Sequence, residues 1–470
     1  MAKFSYFPHT EEDIQAMLSR IGVRTMDDLY CDVPAEFFHT EEYDLPDAMS
    51  EQQVREYFDS LVAKNPKLKV FVGAGAYDHY TPSVIPYLTS RSEFITAYTP
   101  YQCEISQGTL RYIFEYQSMI CALTGMEVSN ASMYDGPTAA AEAVRMAVTS
   151  ARKKGTVLIA STLYPHVKEV VKTYASYAGT TIVELAEEDG QTSLAALTEA
   201  LASGDVAGVI VPTTNCYGVI EDHTGFADAI HAAKAMYVEY CDPSTLAVLK
   251  TPAEWGADVA VGDGQSLGVP LCYGGPTLGF MACSKEHMRK LPGRIVGSTT
   301  DKEGRRCFVL TLQAREQHIR RDKATSNICS NESLMALWAT IYLSLTGPKG
   351  LAEVNTLSSQ SAHYLCQALV ATGQFTPVSS KPFLKEFALD LINQTAGRIA
   401  DELTQHNNNT TTRKAPATDP DMMETDEVLD RLQVNRSTLF RWNNNGYLCH
   451  VKVGRRNLYR RADVLKILGE

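Results

Sequence analysis

Val259-Ala260-Val261-Gly262-Asp263-Gly264-Gln265-Ser266-Leu267-Gly268-Val269-Pro270-Leu271-Cys272-Tyr273-Gly274-Gly275-Pro276 is the stretch on which the fold turns. A short apolar strand runs into a glycine-rich turn. A Gly-Gly-Pro turn follows, and Leu278 to Ala282 reads as a second apolar strand. The first turn carries Gln265, and no lysine occurs between Lys250 and Lys285. A carboxamide nitrogen is neither basic nor nucleophilic, so Gln265 cannot serve as an activated amine.

Upstream of this stretch, apolar runs and helical patterns alternate. Strands are expected at Val157–Ala160, Thr181–Leu185, Val206–Val211 and Tyr237–Tyr240, with helices near 138–150, 165–177, 193–202 and 225–234 between them. Such alternation implies a mostly parallel sheet covered by helices on both faces. Ligands of such sheets bind beyond the carboxyl ends of the strands. Two segments fit that place. Met133-Tyr134-Asp135-Gly136-Pro137-Thr138 sets glycine and a hydroxyl at a helix start, which suits a phosphate or another anion. Asn215-Cys216-Tyr217-Gly218 and Cys241-Asp242-Pro243 follow strands directly, as turn residues commonly do.

The chain before the sheet is helical. Thr10 caps a helix carrying Ile14, Met17, Leu18 and Ile21, and Ser50 to Gln53 is a capping box ahead of Val54, Tyr57, Phe58 and Leu61. Between 70 and 108 the chain is irregular and rich in Gly, Pro and Tyr, a length of loop that is either functional or a surface connector. Gln107-Gly108-Thr109 opens another amphipathic helix. Residues 304 to 327 gather arginine, histidine, amide and hydroxyl groups, able to hold an anion or a partner surface, or simply to form a solvated basic face. Leu334 to Leu345 is an apolar helix stopped by Gly347-Pro348, and Phe383 to Phe387 reads as a strand.

At 470 residues the chain exceeds one ordinary core. Its net charge of −12 argues against non-specific nucleic-acid binding by the whole chain. Residues 425–470, however, hold nine basic and five acidic side chains, which leaves 34 basic against 50 acidic in the rest. The 11 cysteines show neither a C-x-x-C pair nor zinc spacing, as expected of buried reduced thiols in a cytoplasmic protein, and no metal site is expected. No signal peptide or membrane span is expected.

Residues 405–420 carry almost no apolar side chain and read as a flexible linker. Beyond them, helix Thr425–Leu432, a tight turn at 433–435, helix Arg436–Trp442, a basic hairpin at 451–460 and a last helix at 462–468 match a winged helix-turn-helix. Arg436, Ser437, Thr438 and Arg441 would face bases and phosphates of double-stranded DNA, and Arg455 and Arg456 at the hairpin tip its backbone. The bland alternative is a small basic interaction module.

Residues 1 to about 390 resemble subunit 1 of the decarboxylating glycine dehydrogenase, the P-protein of the glycine cleavage system. The resemblance rests on Gly73 to Tyr80, Tyr98-Thr99-Pro100-Tyr101-Gln102, Glu104 to Thr109, Ala131 to Gly136, Gly262 to Gly268, and Leu310 to Arg321. It implies an α/β, pyridoxal-phosphate-dependent transferase-like fold of the aminotransferase type and a two-subunit enzyme. That enzyme decarboxylates glycine and passes the aminomethyl group to the lipoyl arm of H-protein. The resemblance also gives Gln265 a meaning. Subunit 2 carries a lysine in the corresponding turn and holds pyridoxal phosphate, whereas this chain has none and completes a shared active site. Tyr77, His79, Tyr98, Tyr101, Gln107, Thr109, Arg315, His318, Thr325 and Asn327 are then placed at the active site or the subunit interface.

The expected organisation is a helical segment 1–70, a large domain 71–330, a truncated small domain 331–391, a linker 392–424, and a domain 425–470 that resembles excisionase- and MerR-like proteins. A DNA-binding transcription regulator or excisionase-like protein, and a chimera of two fragments, are the alternatives to the enzyme subunit.

Overall fold

A computed structural model of the chain describes residues 8–38, 45–65, 68, 70–96, 98–151, 153–392, 422–432, 434, 439, 448, 450–453 and 456–468. The chain divides into two compact units, Met1–Phe71 and Val72–Glu470.

In the first unit, helix α1 (Glu11–Ile21) opens on a capping box between Thr10 and Asp13, and helix α2 (Glu51–Val62) on one between Ser50 and Gln53. Each box satisfies amide groups that a helix start leaves open. Val54, Tyr57 and Phe58 share the expected face of α2, but all three are exposed.

The second unit is built on a seven-stranded sheet. In chain order its strands are β1 (Val128–Ser129), β2 (Thr156–Ala160), β3 (Thr181–Leu185), β4 (Val206–Pro212), β5 (Met236–Tyr240), β6 (Val259–Asp263) and β7 (Gly279–Cys283). Their spatial order is β1-β7-β6-β5-β4-β2-β3. Strands β3, β2, β4, β5 and β6 run parallel, and β7 is antiparallel to both β6 and β1. All residues of β4 and β5 are buried, which is why β4 reads as an apolar run and β5 as one interrupted by Glu239, whose carboxylate is paired inside. Helix α3 (Gln107–Thr124) precedes the sheet, and helix α4 (Gly136–Ala151) lies on it. The alanines of α4 keep that layer thin. A Cβ built on Gly208 of β4 would come within 2.7 Å of Ala147 Cβ.

The order of strands reverses between β2 and β4, so the carboxyl ends of β2, β4, β5 and β6 open on one crevice. After β7 the chain makes an antiparallel hairpin, β8 (Ile295–Thr300) and β9 (Arg306–Thr311). Gln107 clamps this hairpin to α3: its amide nitrogen donates to the Phe308 carbonyl at 2.8 Å, and its oxygen accepts from Phe308 N at 2.9 Å.

Gly347-Pro348 breaks the expected apolar helix without ending it. Gly347 takes a non-helical conformation and Pro348 starts a new helix, so helical structure runs through the kink from Ser333 to Ala371 (α5). Strands β10 (Phe375–Pro377) and β11 (Leu389–Leu391) then pair antiparallel. Phe383–Phe387 is no strand. Beyond one bridge from Phe383 to Val219, this segment is a bend. Polar side chains at 385 and 386 draw it into the crevice described below instead of into a ladder.

Toward the C-terminus, β12 (Met422–Glu424), β13 (His450–Val453) and β14 (Arg456–Arg460) form a sheet in the order β12-β14-β13. Helices Thr425–Leu432 and Arg461–Leu468 pack with it around Met423, Val428, Leu439, Leu448, Tyr459 and Val464. Residues 422–424, expected as linker, therefore pair within this module. Arg436, Ser437, Thr438, Arg441 and Arg455 lie outside the described residues. Arg456 is described only as a backbone position in β14. Among the described residues, no helix is long and apolar enough to cross a membrane. Of the cysteines expected to be buried, Cys31 and Cys329 are exposed, and Cys241, Cys283 and Cys366 are buried.

Candidate active site

A cavity of about 200 Å³ lies at the carboxyl ends of the strands, lined among others by Tyr77, Asp135, Tyr164, His166, Tyr240, Asp242, Asp263 and Gln265. Gln265 follows β6 and is buried. Its oxygen accepts from Tyr77 N at 3.1 Å, and its amide nitrogen donates to the carbonyls of Tyr77 at 2.9 Å and Val269 at 2.7 Å. The carboxamide thus pairs with the Tyr77 peptide as a neighbouring strand would. It pins the 73–80 loop, a task that needs a donor and an acceptor on one side chain.

At the end of β6, Asp263 accepts from Gln265 N at 2.8 Å and from Gly136 N at 3.1 Å. Burial nonetheless pushes its pKa up to about 6, despite these amides. Asp135 accepts from Thr138 N at 2.6 Å. The start of α4, expected to suit a phosphate, is therefore occupied by two carboxylates from the chain itself.

At the end of β5, Asp242 accepts from Lys385 Nζ at 2.6 Å, from Ser244 Oγ at 2.8 Å and from Ser266 Oγ. Burial works against its charge, but Lys385 and these hydroxyls hold its pKa below the ordinary value. Glu386 accepts from Ala74 N at 2.9 Å, from Tyr164 OH at 2.7 Å and from Tyr77 OH. Burial, with the Glu386 charge beside them, raises the pKa of both phenols and keeps them protonated. Burial also lowers the pKa of His166.

A polar network behind the cavity steadies it. The His223 ring sits between Glu239, 2.8 Å from Nδ1, and Glu221, 3.6 Å from Nε2; the longer contact is an ion pair rather than a hydrogen bond. Burial alone would lower the imidazole pKa, but the two carboxylates outweigh it and push it up to about 9. Glu221 also accepts from Thr162 at 2.6 Å and Asn215 at 2.8 Å.

The residues expected at the site separate into two groups. Tyr77 faces the cavity. His79 lies half-buried behind it, its pKa lowered by burial and its Nε2 without a hydrogen-bond partner. Gln107 and Arg315 turn inward; Arg315 donates to the carbonyls of Leu312 at 3.0 Å and Gly293 at 2.9 Å. Thr109 is half-buried on α3 and does not line the cavity. Tyr98, Tyr101, His318, Thr325 and Asn327 are exposed, and Thr325 and Asn327 line a groove with Glu142 and Arg145. Sequence reasoning missed Tyr164, Lys385, Glu386 and the buried Arg294, whose Nη1 donates to Thr99 Oγ1 at 3.3 Å. The only signal for Lys385 and Glu386 was two charged residues inside an otherwise apolar segment.

This sheet order, with a turn after β6 facing the carboxylate after β5, defines the α/β fold of the pyridoxal-phosphate-dependent transferases. A glutamate decarboxylase from Lactobacillus brevis shares the fold, with a TM-score of 0.56 at 13% identity over 80% of this chain and 86% of that one. The chain belongs to the glycine cleavage system P-protein family, whose model matches residues 4–432. It is 49% identical over 404 residues to the probable glycine dehydrogenase (decarboxylating) subunit 1 of Carboxydothermus hydrogenoformans, covering 85% of this chain and 90% of the relative. It is 51% identical over 385 residues to the one of Moorella thermoacetica, covering 82% and 86%. A solved glycine decarboxylase (P-protein) of the glycine cleavage system, in inhibitor-bound form, superposes with a TM-score of 0.76 at 44% identity, over 85% of this chain and 91% of that one.

The cavity residues do not fit the cofactor of the fold family. The turn has no amine, the carboxylate after β5 already holds Lys385, and the amides at the start of α4 already hold carboxylates.

Proposed function

We propose that this chain is subunit 1 of the two-subunit glycine dehydrogenase (decarboxylating) of the glycine cleavage system. It supports decarboxylation of glycine and delivery of the aminomethyl group to the lipoyl arm of H-protein in the cytoplasm. Pyridoxal phosphate belongs to the complex and is held by the lysine of subunit 2. The observation that carries this reading is the clamp at Gln265, in a chain otherwise continuous with the family: the turn is committed to structure. Tyr98, Tyr101 and Ile105 are exposed at 82%, 63% and 80%, and with Thr325 and Asn327 they form the surface offered to subunit 2. Gln107 and Arg315 support the neighbouring backbone from within, and Tyr77 and His79 lie on the side of the cavity.

The test is glycine–bicarbonate exchange. The purified chain alone is expected to show none, and adding subunit 2 is expected to bring it at least a hundredfold above either part, an order-of-magnitude expectation for a site assembled from two chains. Exchange by the chain alone would sink the reading. Mixed with pyridoxal phosphate, the chain should show no absorbance band from an internal imine that maps to the turn carrying Gln265.

A second reading concerns residues 422–470. A three-stranded sheet with two helices and its own apolar core supports a DNA-binding module, as does the basic charge of 425–470. A gel shift with duplex DNA is expected to weaken steeply, about tenfold or more, between low and physiological salt. No shift at low salt would count against DNA binding.

A further inference from the structure

We propose that Lys385 and Glu386 back one wall of the cavity from behind Asp242, Tyr77 and Tyr164, and take up the partners that a cofactor ring would need. Lys385 serves Asp242 as an internal cation, and Glu386 ties the bend 383–387 to the loop 73–77. This goes beyond the subunit assignment, because it concerns how this chain's own cavity is closed.

Three observations carry it. First, charge: Lys385 Nζ lies 2.6 Å from Asp242 and 3.2 Å from Ser244 Oγ, and 5.0 Å from the centre of the Tyr77 ring. A buried carboxylate needs a cation or strong donors, and here the chain supplies both. Second, fit: the backbone on either side has been cut back to admit the bend. A Cβ on Gly218 would sit 1.8 Å from the Glu386 carbonyl oxygen, and one on Gly73 would sit 2.1 Å from the Glu386 carboxylate. Gly73, Ala74 and Gly75 all take positive φ, and this left-handed run turns the Ala74 amide onto Glu386. Third, polarity: the opposite end of the cavity, where a phosphate would be expected, is lined by Asp135 and Asp263. The cavity is thus electrostatically the reverse of a site for an anionic cofactor, and the cation beside it, Lys385, is already bound to Asp242.

Lys385→Ala in the full chain is expected to lower the melting temperature by several degrees. The vacated space beside Asp242 should then accept a small primary ammonium ion. n-Propylammonium chloride should raise the melting temperature of K385A saturably, while sodium chloride and tetramethylammonium chloride do not, and while wild type responds to none of them beyond a salt effect. Removing both charges in K385A/D242N should recover stability relative to K385A, and this variant decides the matter if K385A does not fold. In parallel, Q265K is expected to gain no pyridoxal-phosphate band, because Asp242 and the start of α4 stay occupied. The proposal is overturned if K385A melts with wild type, if propylammonium acts no better than sodium, if the double variant is no better than K385A, or if Q265K alone gains a saturable band. None of these readouts needs subunit 2 or catalysis, so their failure is separate from failure of the subunit assignment.

Discussion

His223→Leu is expected to lose about 3–5 kcal/mol of stability near neutral pH, the usual cost of removing one partner from a buried charged group. The substitution leaves Glu221 and Glu239 facing each other across an apolar side chain, both fully buried. The pH dependence carries a second signature. His223 has a folded pKa of about 9 against an ordinary 6.5, so its protonated form is bound more strongly in the folded chain. Its contribution is complete below about pH 6.5 and is lost as pH rises through about 9. Denaturant melts of wild type should therefore weaken across this window, and melts of H223L should follow a different profile, because the imidazole proton is gone and two buried carboxylates without a cation add a pH dependence of their own. Equal slopes would show that the triad does not carry the proton. The effect should reach the cavity, because Glu221 holds Asn215, Ile220 N donates to the Pro382 carbonyl at 2.9 Å, and Gly218 packs against Glu386.

Gly262→Ala is expected to cost on the order of 3 kcal/mol, at the upper end for overpacking, because the obstacle is backbone. Its Cβ would sit 1.9 Å from the Cys241 carbonyl oxygen and 2.8 Å from Phe280 Cε1. Relief requires β5 and β6 to part, just before Asp242 and Asp263. Gly108→Ala is the control. Nothing lies within 4 Å of a Cβ there, and the position is the second residue of α3, so alanine should stabilise slightly, by less than the roughly 0.5–1 kcal/mol of a mid-helix glycine. Denaturation midpoints moving in the same direction for both variants would contradict the described packing.

How far the sequence discloses this molecule follows from the range of the interactions involved. The strands are legible because burial on both faces demands unbroken apolar runs, as in Val206–Pro212. The capping boxes are legible because their two partners lie three residues apart. Gln265 is legible as the lack of an amine. Its positive role is not, because its partner Tyr77 lies 188 residues away. Lys385 and Glu386 were hidden for the same reason: an apolar segment with two charges reads as a strand until their partners at 242, 77 and 164 are known. The basic run 304–327 divides by direction, with Arg315 inward and His318 outward, and composition carries no direction.

The bond from Ala74 to Glu386 spans 312 residues. Chains made from the N-terminus fold their early parts first, and contacts between distant residues form slowly. The loop that carries Tyr77 therefore waits for almost the whole of residues 1–386 to be made before its last anchor exists. Closure of the cavity is a late event in the life of the new chain, and a record that the sheet beneath it has already formed.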